Sequence, residues 1–327
     1  MPRILGFELM ERAGQGGMAD VFRARRTIPL PGGIGPRSVV VKMVPDSRPE
    51  WLASLEHEME VLLHIKQVQT LYQPAAPDAR IAHIQPVSVN RDEEIYCAKG
   101  EVEGWADPNP ARRTCTLIVV DDIWGPCLTD YLKIRRLSVH ECVLLGERLA
   151  ALLGTLHTAA HILHNDLRPE NIIIRPPFRV GLVDFGVSLP LNDGLAVDHL
   201  PHSMAYFGVR PYMAPEKRAP RDEPVSGRLD WRSDLWSLGA ILLYALGGAA
   251  ELTRKAEVLA GFRHPVPEPL ERFLRRALQF RPSDRHESWQ DVQHEISACR
   301  EQIPLGYGQR TGWFSRLSAS LRRGTSS

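Results

Sequence analysis

The chain has 327 residues, room for one large domain or two moderate lobes with substantial cores. Its 40 lysines and arginines against 39 aspartates and glutamates leave a formal charge of +1, which gives no global electrostatic reason to expect a nucleic-acid or membrane-surface binder. Hydrophobic residues at 43% and charged residues at 24% exclude a disordered or fibrous chain, and five scattered cysteines without a CxxC pair point to neither a disulfide framework nor a structural zinc site.

The opening MPRILGFELMERAG puts an acidic residue and then glycines where a signal peptide needs a continuous apolar core. The longest strongly apolar stretch, Leu238 to Ala250, holds three glycines and falls short of the ~20 residues that cross a bilayer. Both segments suit a cytoplasmic protein with a buried helix.

In chain order, short apolar runs predict strands at Ile4 to Met10, Val21 to Ala24, Val39 to Val44, Ile81 to Val89 and Thr116 to Val120. Between them, LEHEMEVLLHI repeats apolar residues every three or four positions and predicts a helix over Glu56 to Ile65. Thr27 to Arg37 is a glycine- and proline-rich connection, and the charged stretch Glu93 to Arg113 is expected as a surface elaboration. Beyond it the pattern turns helical from Leu144 to Leu163, and polar residues then interrupt strand-like runs in HNDLRPENIII and GLVDFG. After about Arg300 a basic tail begins, in which Trp313, Phe314, Leu317 and Leu321 lie beside Arg316, Arg322 and Arg323.

Gly14, Gly16 and Gly17 lie between two strands, where a backbone free of bulky side chains can approach phosphates or form a plain turn; the spacing is not that of a P-loop or a dinucleotide-binding turn. Lys42 sits inside VVVKMV, where alternation directs its charge to one face of a strand and the neighbouring valines into a core. Glu58 is its preferred partner over Glu56 and Glu60, because its spacing to Leu62 and Ile65 places it beneath the sheet.

Through these residues and the motifs that follow, the chain over about residues 7 to 295 resembles the eukaryotic-like serine/threonine protein kinase family, in particular its bacterial-type members. GQGGMADVF resembles the glycine-rich loop, with Ala19 in place of its third glycine, and VVVK resembles the strand that carries the ATP lysine. HNDLRPEN resembles the catalytic loop, DFG at Asp184 to Gly186 the metal-binding motif, and Ala214 to Glu216 the APE motif. Arg285 is then the expected partner of Glu216, and Asp234 secures the catalytic-loop backbone or caps its helix.

The resemblance implies an α+β, two-lobed fold, with a β-rich lobe over 1–120, a hinge and helical lobe over 121–300, and a basic tail over 301–327. It implies ATP as cofactor with magnesium, manganese being the alternative metal, and serine or threonine of a protein, this chain included, as acceptor. Asp166 takes the role of base, with Lys42 and Arg168 beside the transferred phosphate; Asn171 and Asp184 are the metal ligands. Gly14, Gly16, Gly17, Val21, Val40, Lys42, Glu58, Val120, Asp121 and Ile123 form the nucleotide site, the last three at the back pocket and hinge. His157, His161 and His164 are read as packing and support, not as a metal triad. Asn165 stands where the family's arginine pairs with a phosphate on the activation segment, so weak dependence on phosphorylation at Ser203 or Tyr206 is expected. Ala19, Asn165, Arg168 in place of lysine and Val209 in place of threonine keep a second reading open, a nucleotide-binding pseudokinase that acts as a scaffold or allosteric partner. Residues 93–113 and the tail are the expected docking surfaces for a partner.

Overall fold

The computed structural model describes residues 1–15, 19–29, 38–71, 79–90, 93–104, 114–196, 211–217, 229–247 and 266–304. The first part is a twisted antiparallel sheet. Strands β1 (Arg3–Ile4), β2 (Phe7–Gln15), β3 (Asp20–Arg26) and β4 (Ser38–Pro45) pair in sequence order, and helix α1 (Leu52–Leu71) follows. Four short strands come next: β5 (Ala79–Ile81), β6 (Ile84–Gln85), β7 (Ser88–Asn90) and β8 (Glu93–Ile95). Then β9 (Cys97–Glu101) and β10 (Thr114–Asp121) complete the sheet, with β10 between β4 on one side and β6 and β9 on the other.

The register does the positioning. Val21 lies opposite Gly14 on β2 and Lys42 on β4, and Lys42 lies opposite Ile118 on β10. One step along, Arg23, Val40 and Val120 form the next row of the same face. Because strand side chains alternate, Val39, Val41, Met43, Leu117 and Val119 point the other way and close a separate core with Ile4, Phe7 and Leu9. Helix α1 covers the Lys42 face with Leu55, Leu62 and Ile65, the stripe expected from the sequence, although the helix is longer than Glu56 to Ile65.

Two sequence expectations change. Ile81 to Val89 is not one strand but is broken among β5, β6 and β7, each of which serves a different sheet. The expected surface elaboration begins as sheet, since β9 pairs along Thr114 to Ile118 of β10. Lys99 and Glu101 are the exposed charges of an edge strand, which charge composition alone does not separate from a loop. Residues 105–113 of that segment lie outside the described residues, as do the tail residues 305–327.

The rest of the described chain is mainly helical. Helices α2 (Leu128–Ile134) and α3 (Val139–Thr158) lead to short strands β11 (Ile162–Leu163), β12 (Ile172–Arg175) and β13 (Arg179–Leu182). After β14 (Leu189–Asn192) and β15 (Leu195–Ala196) come α4 (Arg232–Gly247), α5 (Glu268–Ala277) and α6 (Trp289–Gln302). Ser138 and Glu141 form a reciprocal capping box at the start of α3, worth about 1 kcal/mol. Leu145, Leu149, Leu153 and Leu156 then bury one face of α3 against α4 and α6. Helix α4 is apolar nearly all round, with Leu235, Leu238, Ile241 and Leu242 fully buried, which accounts for the apolar run from Leu238. No helix among the described residues is long and apolar enough to cross a membrane.

Candidate active site

Lys42 is buried and donates from Nζ to Glu58 Oε1 at 2.5 Å and to Asp184 Oδ1 at 2.9 Å. Burial alone would push the lysine pKa down, but the two carboxylates outweigh it and raise it. For Glu58 burial wins and its pKa rises, whereas the Lys42 charge holds Asp184 below the ordinary carboxylate value. Glu58 also accepts the Phe185 N–H at 3.2 Å, so one carboxylate ties α1 both to the strand lysine and to the DFG segment. Two further bonds fasten the same segment: Ser54 Oγ donates to Gly186 O at 3.0 Å and His57 Nε2 to Ser188 O at 2.7 Å. Sequence reading passes over both residues, whose only signal is that they share the Glu58 side of the helix.

The second half of the site follows β11. The Asp234 carboxylate accepts the N–H groups of His164 at 2.7 Å and Asn165 at 3.0 Å, and His157 Nε2 at 2.9 Å. Of the two roles open to Asp234, the geometry selects the loop anchor, since it lies inside α4 and not before it. Burial would raise its pKa; His157 reverses that and the net shift is downward. Trp289 Nε1 donates to His157 Nδ1 at 2.7 Å, which leaves the His157 proton on Nε2 and carries the chain of bonds to α6. Asn165 adopts a left-handed backbone (φ 67°), is buried, and donates from Nδ2 to Val187 O at 2.7 Å. His164 supports the loop as expected: it is buried, bonds Val183 O at 3.2 Å and packs on Phe185.

Asp166 is half-buried, and desolvation lifts its pKa to about 6 against the pull of Arg168 and Lys217. Asn171 Nδ2 donates to Asp166 O at 2.8 Å and to its Oδ2 at 3.3 Å, which leaves Asn171 Oδ1 without a proton to share. That oxygen and the Asp184 carboxylate, 48% exposed, are hard donors suited to a divalent cation. No cluster of three His, Cys, Asp or Glu forms a metal cage among the described residues. Arg168 donates from Nε to Glu170 Oε2 at 2.8 Å, and Thr129 Oγ1 bonds the other oxygen of Glu170.

At the end of β10, Val120 is buried beside Ile84, and the Ile123 N–H donates to the Asp121 carbonyl at 3.1 Å. The paired acids Asp121 and Asp122 look unusual in the sequence for an adenine site. Their side chains are engaged elsewhere: Asp121 accepts from Arg80 at 2.5 Å and Gln85 at 2.7 Å, and Asp122 from Ser38 at 2.7 Å. A side chain at Gly125 would place its Cβ 2.4 Å from the Ile174 carbonyl, which keeps the chain after the hinge close to β12. Val21 and Val40 are half-buried on the Lys42 face, and Ala19 packs against the main core. Gly16, Gly17, Ser203, Tyr206 and Val209 lie outside the described residues.

Three buried or half-buried histidines set an expected acid sensitivity. His83, His164 and His286 have pKa values pushed below 6.5 by burial, so each is neutral when folded and gains a proton when unfolded near that pH. The unfolded state then binds more protons, and stability falls as pH drops below about 6.5 with a slope of up to ~1.4 kcal/mol per pH unit for each group. Asp166 acts with the opposite sign, since its raised pKa favours the folded state as pH falls through about 6. Urea unfolding at pH 5.5 is therefore expected to occur at lower denaturant than at pH 7.5; a midpoint that stays level or rises would contradict this balance.

The protein kinase domain family matches residues 112–296, and the chain belongs to that family. It is 26% identical over 313 residues to serine/threonine-protein kinase pkn3 of Myxococcus xanthus, covering 88% of this chain and 49% of that protein. Identity is 25% over 323 residues to the probable serine/threonine-protein kinase SCO3848 of Streptomyces coelicolor, covering 93% and 42%. Over 134 residues it is 32% identical to mitogen-activated protein kinase kinase SIPKK of Nicotiana tabacum, covering 40% and 34%. The chain thus spans less than half the length of each of these relatives. The mixture of an antiparallel sheet followed by helices is consistent with the two-lobed fold that the family implies.

Proposed function

We propose that this chain transfers the γ-phosphoryl group of ATP to serine or threonine residues of proteins, itself among the candidates. The observation that carries the reading is the joined Lys42, Glu58 and Asp184 triad set beside the Asp166 and Asn171 pair. Bacterial relatives named as serine/threonine-protein kinases support the acceptor class.

In this reading the Lys42 ammonium, oriented by Glu58, binds the nucleotide phosphates, and the Val21, Val40 and Val120 face receives the base against the hinge. Asp121 C=O and Ile123 N–H, which bond each other in the chain without nucleotide, would exchange that bond for an adenine edge. Asn171 and Asp184 would hold magnesium, which when bound offsets phosphate charge. Asp166, ionised above its pKa of about 6, accepts the hydroxyl proton of the acceptor and orients its oxygen. Arg168, steadied by Glu170, keeps a positive charge next to that base.

The sheet-bearing residues 1–120 then form the nucleotide lobe, 121–300 the hinge and acceptor lobe, and 301–327 a tail open to docking. Five free cysteines support a cytoplasmic setting. The pseudokinase alternative is not favoured by a site that keeps its lysine, base and metal-ligand residues together.

The test of acceptor class is to incubate the chain with ATP, magnesium and a mixture of cellular proteins, then map the modified residues by mass spectrometry. Phosphate on serine and threonine is expected. Phosphate on tyrosine alone would overturn the assignment.

A further inference from the structure

We propose that Lys217 is a positioning residue for phosphoryl transfer, a buried ammonium that pins the peptide linking Asn165 to Asp166. The proposal rests on the kinase reading and adds to it a residue that none of the motif resemblances includes. Lys217 follows Glu216 in a short 3-10 turn, Pro215–Lys217. Its side chain is buried, and Nζ donates to the backbone carbonyl of Asn165. That carbonyl belongs to the peptide whose N–H is Asp166's own, and the same N–H bonds His164 O at 2.9 Å. Asn165 is thus held at three groups, N–H on Asp234, Nδ2 on Val187 O and carbonyl on Lys217, while its Oδ1 is buried without a hydrogen-bond partner. Such restraint suits a residue kept at φ 67°, where a non-glycine backbone needs its surroundings to hold it.

The turn that delivers Lys217 is itself fixed. Arg285 grips both oxygens of Glu216 at 2.8 Å, and Ser233 Oγ adds a bond at 2.8 Å. An apolar residue would fill the space after Glu216 without the cost of desolvating a charge. The side-chain nitrogen instead lies in the field of carboxylates on three elements: Asp234 on α4, Asp166 on the catalytic loop, and Glu216 on its own turn. Burial lowers its pKa from the ordinary 10.5, and these three carboxylates oppose that shift. The same charge helps to hold down the pKa of Asp166. A fixed internal cation therefore braces the loop at the position where Asn165 carries no charge of its own.

The test compares the full chain with Lys217→Met and Lys217→Arg. For Lys217→Met, kcat for transfer from ATP is expected to fall at least about tenfold with KM for ATP within about twofold, the pattern of a lost transition-state contact. The wild-type pH profile should show an alkaline limb below 10.5 that Lys217→Met lacks and Lys217→Arg shifts upward; Lys42, whose pKa is raised, does not supply that limb. Hydrogen exchange supplies a readout that does not need activity: amides of His164 to Asp166 should exchange at least about tenfold faster in Lys217→Met, and Lys217→Arg should restore protection. If the wild type transfers no phosphate, the kinase reading fails while exchange still decides whether Lys217 holds the loop. Unchanged exchange at these amides, or a Lys217→Met variant with wild-type kcat and the same alkaline limb, would overturn the proposal.

Discussion

Asp166→Asn is expected to lower kcat about 10²- to 10⁴-fold while ATP affinity stays within about twofold. The substitution is nearly isosteric and leaves in place the bond from Asn171 to the backbone carbonyl of residue 166. It also leaves the Lys42, Glu58 and Asp184 triad intact, so nucleotide binding keeps its charge partner. What it removes is an acceptor that is ionised at neutral pH, because the carboxyl pKa stands at about 6. An asparagine in the same place orients a hydroxyl but takes no proton. Steady-state transfer and equilibrium nucleotide binding, measured on the same preparation, separate the two effects. A variant that loses binding and transfer together would mean that Asp166 shapes the nucleotide pocket and is not confined to the acceptor side.

The largest loss of stability is expected from Arg285→Ala, about 3–5 kcal/mol, the usual cost of leaving one half of a buried ion pair behind. The Arg285 side chain is fully inaccessible to solvent, and beyond its two bonds to Glu216 it donates to the carbonyls of Gln279, Arg232 and Phe280. Truncation therefore strands one carboxylate and three backbone acceptors at once. A loss of this size should lower the thermal midpoint by on the order of 10 °C. Arg285→Lys is expected to recover little, since an ammonium cannot span both Glu216 oxygens and the carbonyls with one planar fork. Because the same pair fixes the turn that carries Lys217, activity should fall before the chain unfolds. A denaturation midpoint within about 1 kcal/mol of wild type would show that the ion pair is replaceable by local relaxation.

Sequence reading reached the parts of the site whose neighbours are close in the chain or whose spacing is fixed by regular structure. Strict alternation in VVVKMV puts Lys42 on one face and its valines on both, and a three-to-four repeat puts Glu58 on the stripe shared with Leu55, Leu62 and Ile65. The HNDLRPEN and DFG segments are recognisable by resemblance, and the structure sets Asp184 on Lys42 and Asp166 on Asn171, near enough for the charge of Asp184 to act on Asp166. What was not readable depended on distant partners. Lys217 looks like an ordinary surface lysine until the catalytic loop, 52 residues earlier, folds over it. Asp121 and Asp122 look like free hinge acids until Arg80, Gln85 and Ser38 engage them. β9 reads as a charged loop because edge strands and loops share a composition, and only the bonds to β10 distinguish them.

The most direct measurement is a single-turnover assay of γ-labelled ATP with the purified chain, magnesium and a serine- and threonine-containing protein acceptor, run beside Asp166→Asn and Asp184→Ala. Label is expected on the acceptor with the wild type and at most about one hundredth of that rate with either variant. Transfer that persists undiminished in both variants, or that is absent from a wild type shown to bind ATP, would contradict the assignment of this cleft to phosphoryl transfer.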